Sequence, residues 1–213
     1  MNYFIFDFDG VICDSLEPCI KIIAESLIYG TTDLDEVKRQ FLNYFSKPVL
    51  SLEKSPEQKE KDWYFLKHLC DKLIQAKPSL FEGFVQQITD INNTKNYKLA
   101  IVSSGFSYYI KDILGSKSSM FEFIYGFETS SSKECKVNLV CDSWGVKPTD
   151  CYYFTDTVSD ILELKELFGI DRIIGCEWGF HGFLRLNKYL SQEQILKEQT
   201  DLWNFCMQLN LHP

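Results

Sequence analysis

Short apolar runs alternate with amphipathic stretches along most of the chain. Five runs rich in β-forming residues predict strands at residues 3–6, 98–103, 123–127, 151–155 and 172–176. Helical periodicity accompanies the later runs, at residues 84–93, 108–114, 136–144 and 160–167. This alternation predicts an α/β fold with a Rossmann-like, doubly wound parallel sheet whose two faces are covered by helices. Right-handed crossovers would bring the carboxyl ends of all strands to one edge, where such sheets bind ligands.

One interval interrupts the alternation. Residues 15–78 contain no clear strand signal. They contain three helical patterns, at residues 18–28, 34–45 and 56–75. This stretch is too long for a simple crossover between neighbouring parallel strands. We therefore predict an inserted all-α cap domain at residues 15–78 and an α/β core domain at residues 1–14 and 79–213, with a further helix at residues 200–209.

Composition supports a globular protein with a sizeable core. The chain has 213 residues, of which 45% are hydrophobic, so it can form one domain or a core domain with a smaller insert. Its 22 Lys and Arg residues are outnumbered by 30 Asp and Glu residues, which gives a net charge of −8. This balance argues against general binding to nucleic acid or to an anionic membrane, because both attract basic proteins.

The expected location is the cytoplasm. No apolar run reaches the roughly 18 residues of a membrane span, and Met1 leads into a predicted strand rather than a signal peptide. The eight cysteines include no C-x-x-C pair and are scattered through apolar segments. We expect them to be buried, reduced thiols, and we expect His181 to lie on the surface of a loop after the last predicted strand.

Two carboxylates follow the first predicted strand. Asp7 and Asp9 lie two residues apart in the sequence FDFDG, and alternate residues of a strand point to the same face. A turn explains Asp9 followed by Gly10, but it does not explain Asp7. Neighbouring carboxylates repel each other unless a cation or a shared proton relieves the repulsion. Mg²⁺ would do so, because it prefers carboxylate, water and phosphate oxygens.

The predicted strand at residues 151–155 also ends in acid. Asp156 follows it directly, and Asp160 comes four residues later. If a helix begins near Ser159, Asp160 lies in its first turn, where a carboxylate also suits the helix dipole. Capping therefore accounts for Asp160 better than for Asp156. Two strands that each end in acid at one edge of a sheet predict a metal site.

Two weaker signals belong to the same predicted edge. Ser103, Ser104 and Gly105 end the second predicted strand, where hydroxyls and backbone amides can hold phosphate oxygens. Lys133 precedes the helical pattern that begins at Lys136, and a lysine there can neutralise a phosphate. Each signal is also common in ordinary loops and at solvated helix starts, so neither identifies a site by itself.

In combination, these signals resemble the haloacid dehalogenase-like superfamily. The sequence FDFDGVICDS at residues 6–15 is similar to the first signature of that superfamily almost letter for letter. The serine, the lysine and the later D-x-x-x-D sequence follow in the order that the family has. The sequence LFEGF at residues 80–84 resembles the return to the core after a helical cap of the phosphoglycolate phosphatase and β-phosphoglucomutase type.

The resemblance implies a role for each residue. Asp7 is expected to be the nucleophile that forms an aspartyl-phosphate, and Asp9 the general acid and base. Ser103 is expected to bind the phosphoryl oxygens, and Lys133 to offset the charge of nucleophile and phosphate. The expected substrate contacts are Gly10, Ser104 and Gly105. The expected Mg²⁺ ligands are Asp7, Asp9 through its backbone carbonyl, Asp156, and Asp160 through water or hydrogen bonds.

The sequence departs from the family pattern at two places. No proline follows Lys133, and Lys136 lies close enough to be the catalytic lysine instead. Thr155 stands before Asp156 where many relatives have glycine, which should matter little because the acid is retained.

The resemblance implies a Mg²⁺-dependent phosphatase that acts on a small phosphorylated metabolite. Asp9 argues against carbon–halogen or carbon–phosphorus cleavage, because relatives with those activities lack or usually lack this second acid. A phosphomutase of the β-phosphoglucomutase type and a non-catalytic binding protein on the same fold are the alternatives. Residues of the insert are expected to recognise the leaving group, but the sequence does not separate pocket lining from core. The candidates are Phe41, Tyr44, Phe45, Lys47, Lys54, Trp63, Tyr64 and Lys67.

Overall fold

The computed structural model describes residues 1–47 and 55–211. Its strands are β1 (Asn2–Phe6), β2 (Tyr97–Val102), β3 (Phe123–Tyr125), β4 (Cys151–Thr155), β5 (Ile173–Cys176) and β6 (Ile195–Leu196). The first helices are α1 (Leu16–Ser26), α2 (Leu34–Tyr44), α3 (Pro56–Ala76), α4 (Glu82–Asn93) and α5 (Ser107–Leu114). The later helices are α6 (Lys133–Trp144), α7 (Val158–Phe168), α8 (Gly182–Leu186) and α9 (Asp201–Leu211).

The strands form one parallel sheet in the order β3-β2-β1-β4-β5-β6. The first strand lies at the centre, where Phe6 is in register with Ile101 of β2 and Phe154 of β4. This order confirms the predicted α/β fold with a parallel sheet. It also puts the carboxyl ends of β1, β2 and β4 side by side at one edge.

Both faces of the sheet are covered by helices. Phe4 and Phe6 of β1 pack into a cluster that includes the apolar faces of α4 and α9. Ile5, which points the other way, belongs to a second cluster with residues of α6 and α7. A strand buried on both faces has to be apolar throughout, which is why the β1 sequence shows no polar alternation.

Three helices, α1 to α3, form an insert between β1 and α4. They pack on each other, and their buried residues continue the hydrophobic cluster on one face of the sheet. The chain enters and leaves the insert at neighbouring points, because Asp14 N donates to Ser79 O (2.8 Å) and Cys13 pairs antiparallel with Leu80. The helices α2 and α3 begin at sequence-encoded caps, where Asp33 and Ser55 each accept a backbone N–H.

The structure differs from the sequence-based expectation in several elements. Strand β3 ends at Tyr125 rather than at residue 127, and α6 begins three residues earlier than predicted, at Lys133. The short elements β6 and α8 were not predicted, because two and five residues are too few to show a period. All eight cysteines are free thiols; seven are buried as expected, but Cys135 is exposed because it lies on the solvent side of α6. None of the described helices combines the length and apolar character needed to cross a membrane.

Candidate active site

The carboxyl end of β1 carries Asp7 and Asp9 into a pocket. Asp7 N donates to Phe154 O (2.9 Å), which keeps Asp7 in line with the sheet, and Asp7 Oδ1 accepts the N–H of Phe8 (2.7 Å). Asp7 is buried, whereas Asp9 is half-buried, and both line the same cavity of about 90 Å³. The structure therefore brings together the two acids that the sequence paired.

Lys133 lies against Asp7. Its Nζ is 2.6 Å from Asp7 Oδ2 and 2.6 Å from Asp160 Oδ2, and all three side chains are buried. As the first residue of α6, Lys133 also donates its backbone N–H to Glu163 (2.8 Å), which fixes the start of this helix on α7. Lys133 is thus anchored at both its backbone and its ammonium.

Lys136 has a different position from Lys133. Its Nζ donates to the backbone carbonyl of Ser103 (2.5 Å), and its side chain is fully buried. Burial and the nearby charge of Lys133 lower the pKa of Lys136 to about 8. Of the two lysines that the sequence left open, the structure places Lys133 at Asp7 and Lys136 beneath the loop that follows β2.

Burial is the largest single influence on the pKa values of Asp7, Asp9 and Asp160. It raises the pKa of Asp7 to about 7, although Lys133 opposes this shift, and it raises the pKa of Asp9 against the hydrogen bonds that Asp9 accepts. Burial would also raise the pKa of Asp160, but Lys133 and Thr155 outweigh it, and the pKa of Asp160 lies below its usual value. Asp160 therefore holds its negative charge more firmly than Asp7 does.

Asp160 is held by several donors. Its Oδ2 accepts hydrogen bonds from Thr155 (2.8 Å) and Tyr153 (3.3 Å) in addition to Lys133. Because it lies in the first turn of α7, as predicted for a helix that begins near Ser159, the helix dipole also favours its charge.

Asp156 contains an oxygen that no protein group satisfies. This carboxylate is fully buried, and its Oδ2 accepts the N–H of Phe180 (2.7 Å), whereas its Oδ1 has no hydrogen-bond partner. Burial and the charge of Asp7 raise its pKa well above the usual range. Buried polar atoms normally have a partner, so the free Oδ1 indicates a ligand such as a cation.

Two glycines leave room for the Asp156 carboxylate. A Cβ at Gly10 would overlap the Asp156 carboxylate, and a Cβ at Gly179 would overlap both Asp156 and the carbonyl of Gly10. Gly10 also has φ of +76°, which other residues rarely adopt. The position of Gly10 is therefore explained by packing on Asp156 as well as by the turn after β1.

The residues after β2 line the same pocket. Ser103 is buried and its Oγ accepts the N–H of Gly105 (3.0 Å), whereas Ser104 is exposed. Ser103, Ser104 and Gly105 all face the cavity that Asp7 and Asp9 line. The structure thus brings the loop expected to hold phosphate next to the paired acids.

The pocket has a polar floor and an apolar roof. The polar floor comes from the sheet edge and consists of Asp7, Asp9, Ser103, Ser104, Gly105, Lys133, Thr157 and Asp160. The apolar roof comes from the helical insert and consists of Cys19, Phe41, Phe45, Leu66, Leu69, Cys70 and Leu73. Tyr109 and Phe180 form the remaining walls.

The residues of the insert that were expected to recognise the leaving group do not all line the pocket. Phe41 and Phe45 lie in the apolar roof, but Trp63 packs on Phe106 (ring centroids 4.8 Å apart) and Lys67 pairs with Asp71 (2.7 Å). The others do not line the pocket or, in one case, cannot be placed. Tyr44, Lys47 and Tyr64 are exposed, and Lys54 lies outside the described residues.

His181 is buried, so the expectation of a surface histidine is wrong. Its Nδ1 accepts the N–H of Val158 (3.0 Å), and its Nε2 lies 2.9 Å from the carbonyl of Leu42 in the insert. Burial lowers the pKa of His181, which keeps the ring neutral and suits this pair of contacts. The apolar loop after β5 can bury the ring because both ring nitrogens find partners there.

Sequence reasoning did not single out some residues at this site. Tyr109 donates its hydroxyl to Asp9 Oδ1 (2.8 Å), and Phe180 contributes the N–H that holds Asp156. Glu163 caps the helix that carries Lys133. No spacing rule connects these positions with the acids, because their proximity depends on how the elements pack.

The comparisons with known proteins identify the family. The sequence profile described as haloacid dehalogenase-like hydrolase matches residues 4–171. The chain belongs to this family of hydrolases. The haloacid dehalogenase-like match covers most of β1, the helical insert and the strands through β4, and it includes every residue of the pocket lining except Phe180. No curated protein matches the chain in sequence.

Solved structures share the haloacid dehalogenase-like fold over nearly the whole chain. One is a predicted phosphatase from Clostridium acetobutylicum, 19% identical, with a TM-score of 0.72 over 97% of this chain and 98% of that one. A haloacid dehalogenase-like family protein from Streptococcus pneumoniae is 16% identical, with a TM-score of 0.71 over 96% and 98%. A predicted phosphoglycolate phosphatase from Haemophilus somnus is 14% identical, with a TM-score of 0.68 over 97% and 98%.

The acids do not form a closed metal cage. In residues 1–47 and 55–211, no group of three His, Cys, Asp or Glu side chains is arranged to hold a metal ion. Asp7 and Asp160 contact Lys133, and Asp9 accepts from Tyr109. Mg²⁺ commonly takes only one or two carboxylates and completes its shell with water and phosphate oxygens. The free Oδ1 of Asp156 therefore fits such an ion, and the predicted set of four acidic ligands stays a prediction.

Proposed function

We propose that this hydrolase is a Mg²⁺-dependent phosphatase that acts on a small phosphorylated metabolite through an aspartyl-phosphate on Asp7. The observation that carries the proposal is the position of Asp7 in the pocket, with Lys133 Nζ 2.6 Å from its Oδ2. A carboxylate beside a buried cation, open to a cavity at a sheet edge, is suited to attack a phosphoryl group.

Asp7 and Asp9 would have different roles in the reaction. An oxygen of Asp7 attacks phosphorus, and the bond between phosphorus and the leaving oxygen breaks as Asp9 gives that oxygen its proton. Asp9 then takes a proton from a water molecule, which attacks phosphorus and releases inorganic phosphate and the free Asp7 carboxylate. The raised pKa of Asp9 suits a group that must be protonated in the first step and must accept a proton in the second.

The floor residues would hold the phosphate. Ser103, Ser104 and Gly105 line the same pocket as Asp7 and would supply hydroxyl and amide donors, and Lys133 would supply its ammonium. A phosphate monoester is a dianion near neutral pH, so these donors offset repulsion from the acids.

We assign Asp156 as a ligand of the metal, because its buried Oδ1 has no other partner. The carboxylate of Asp7 and the backbone carbonyl of Asp9 would complete the protein ligands. Mg²⁺, when bound, supplies positive charge that favours the ionised form of Asp7 and offsets the charge of the phosphate. We assign Asp160 an indirect role, since its Oδ2 already accepts from three donors.

We further propose that residues 15–78 are a cap domain on a core of residues 1–14 and 79–213. The contact of Asp14 with Ser79 supports these boundaries, because it joins the two connections of the insert. The apolar roof would exclude water from the reaction when the cap is closed. The free cysteines suit a reducing compartment, so we propose a cytoplasmic location.

Hydrolysis of p-nitrophenyl phosphate by the purified chain tests the proposal. We expect turnover with Mg²⁺, none with excess EDTA, and a loss of at least about 1,000-fold in Asp7→Asn. The matched control is Asp14→Asn, which changes an exposed acid of the same segment and should leave the rate within about twofold. Full activity in Asp7→Asn would refute the proposal.

The same assay separates the alternatives. A purely binding protein would show no turnover at all, and a phosphomutase would transfer phosphate between sugar positions rather than release it. When a hexose phosphate is added to the assay, release of inorganic phosphate without formation of an isomeric hexose phosphate therefore supports the phosphatase.

A further inference from the structure

The apolar roof contrasts with the floor below it. Its side chains are aliphatic or aromatic except for the thiols of Cys19 and Cys70. Burial raises the pKa of Cys70 to about 12 and that of Cys19 well above its usual value, so both thiols are neutral near neutral pH. The described residues of the insert therefore bring no charged side chain to the pocket.

Two lysines on the helices that carry roof residues are paired with acids outside the pocket. Lys67, one residue after Leu66 of the roof, pairs with Asp71 at 2.7 Å on the outside of α3. On α2, which carries Phe41, the charged Lys38 pairs with Glu17 at 2.7 Å. Neither lysine lines the pocket.

Aromatic rings close one end of the pocket. Phe41 lies 5.0 Å from Phe45 and 5.7 Å from Phe180 between ring centroids, and these rings bridge the insert and the core. A group that extends from the phosphate towards the insert would meet these rings and the leucines of α3. Among the roof residues, its hydrogen-bonding partners would be limited to the neutral thiols of Cys19 and Cys70.

From this lining we infer that the substrate is a phosphate monoester whose leaving group is uncharged and mainly apolar, such as a short alkyl or aryl alcohol. The inference rests on the proposed phosphatase function, because it takes the polar floor as the phosphate site. A carboxylate or ammonium on the leaving group would lose its hydration beneath the roof without gaining a partner. An alkyl or aryl group would gain from leaving water.

Three nearly isosteric substrates test the inference: propyl phosphate, phosphoethanolamine and phosphoglycolate. Their leaving groups have similar lengths but are neutral, cationic and anionic. We expect kcat/KM for propyl phosphate to exceed both others by at least about tenfold. Between methyl and propyl phosphate, each added methylene should raise kcat/KM roughly fourfold.

A roof variant should reverse the preference for charge. Leu66→Lys places an ammonium in the roof and should improve phosphoglycolate relative to propyl phosphate by at least about tenfold. The matched control is Tyr64→Lys, which adds the same charge on the exposed side of α3 and should leave the ratio unchanged. Circular dichroism and the urea midpoint establish that both variants are folded, and if Leu66→Lys is not, the substrate comparison in the unaltered chain decides.

The possible results separate a failure of this inference from a failure of the proposed phosphatase function. Equal kcat/KM for the three substrates, or a preference for a charged one, overturns the inference while leaving a working phosphatase. No turnover of these substrates or of p-nitrophenyl phosphate overturns the proposed function and the inference with it. A preference for propyl phosphate that Leu66→Lys reverses supports the inference.

Discussion

The ammonium of Lys133 lies 2.6 Å from Asp7 Oδ2 and 2.6 Å from Asp160 Oδ2, so one cation is shared by two acids, one directly after β1 and the other in the first turn of α7. At least nine-tenths of each of these side chains is buried. Among the residues that the structure describes, neither acid forms an ion pair with another side chain. Charge balance in the floor of the pocket therefore depends on this lysine.

Removing the ammonium should destabilise the fold as well as stop the reaction. In Lys133→Met, two buried carboxylates lose their counter-ion, and the free energy of unfolding should fall by about 3 to 5 kcal/mol. Turnover of p-nitrophenyl phosphate should fall at least about 100-fold. Urea denaturation and steady-state kinetics measure the two effects.

Two further variants show whether the effect comes from the buried charges. Lys165→Met breaks a contact between two exposed side chains, Lys165 and Glu166 at 3.8 Å, and should change stability by no more than about 1 kcal/mol. Lys133→Met combined with Asp160→Asn removes one of the unpaired charges and should recover part of the lost stability. If the double variant is less stable than Lys133→Met alone, the explanation from unpaired buried charge is wrong.

Lys136 should make stability depend on pH. Its pKa is lowered from 10.5 to about 8, so between these values the unfolded chain keeps a proton that the folded chain has released. Stability contributed by this site therefore rises with pH across that window. Relative to Lys136→Met, the free energy of unfolding of the unaltered chain should increase by about 2 kcal/mol between about pH 7.5 and 9.5.

Urea denaturation at both pH values measures this difference. Taking the difference between the two proteins removes the contributions of other titrating groups that they share. Lys111→Met, which changes an exposed lysine of the same domain, is the control for replacing a lysine by methionine. If the difference in the free energy of unfolding between Lys136→Met and the unaltered chain is constant with pH, folding does not lower the pKa of Lys136.

The sequence predicted the sheet and its acidic edge because both depend on local patterns. Apolar runs that end in Asp7 or Asp156 can be read directly, and the family resemblance gave their order. The choice between Lys133 and Lys136 could not be made in the same way. The two residues are three positions apart on one helix, and only the packing of α6 decides which ammonium reaches Asp7.

His181 and Tyr109 illustrate what the sequence could not provide. A histidine in a Gly- and aromatic-rich loop has no local signal for burial, and its partners, Val158 and Leu42, are distant in the chain. Tyr109 is 100 residues from Asp9. Such contacts follow from the tertiary structure, and they hold the acids that the sequence did identify.

We propose that Tyr109 positions Asp9. Its hydroxyl donates to Asp9 Oδ1 at 2.8 Å, and the ring is buried. In Tyr109→Phe, Asp9 loses this donor, and kcat should fall about tenfold with little change in KM, because the substrate contacts remain. The lost hydrogen bond to a charged group should lower the free energy of unfolding by about 1.5 to 3 kcal/mol.

Tyr189→Phe is the matched control, because Tyr189 is an exposed tyrosine of the same domain and does not line the pocket. Its kcat and stability should stay close to those of the unaltered chain. A rise in KM for Tyr109→Phe without a change in kcat would show that the hydroxyl binds substrate rather than orienting Asp9.

Gly10 should tolerate no side chain, for a reason beyond its backbone angle. Both Gly10 and Gly145 have positive φ, +76° and +70°, so alanine at either position should cost about 1 to 2 kcal/mol in backbone strain. A Cβ at Gly145 would meet no atom within 4 Å, but a Cβ at Gly10 would overlap the Asp156 carboxylate. Gly10→Ala must therefore displace Asp156 or the turn after β1.

We expect Gly145→Ala to keep full activity with a modest loss of stability. Gly10→Ala should lose at least about 2 kcal/mol more than Gly145→Ala and at least about 100-fold in turnover. Raising the Mg²⁺ concentration should restore part of that turnover, because displacing Asp156, the proposed metal ligand, would weaken metal binding and leave the nucleophile in place. Parallel urea titrations and Mg²⁺ titrations of the two alanine variants measure these effects, and equal behaviour of both variants would contradict the assigned contact with Asp156.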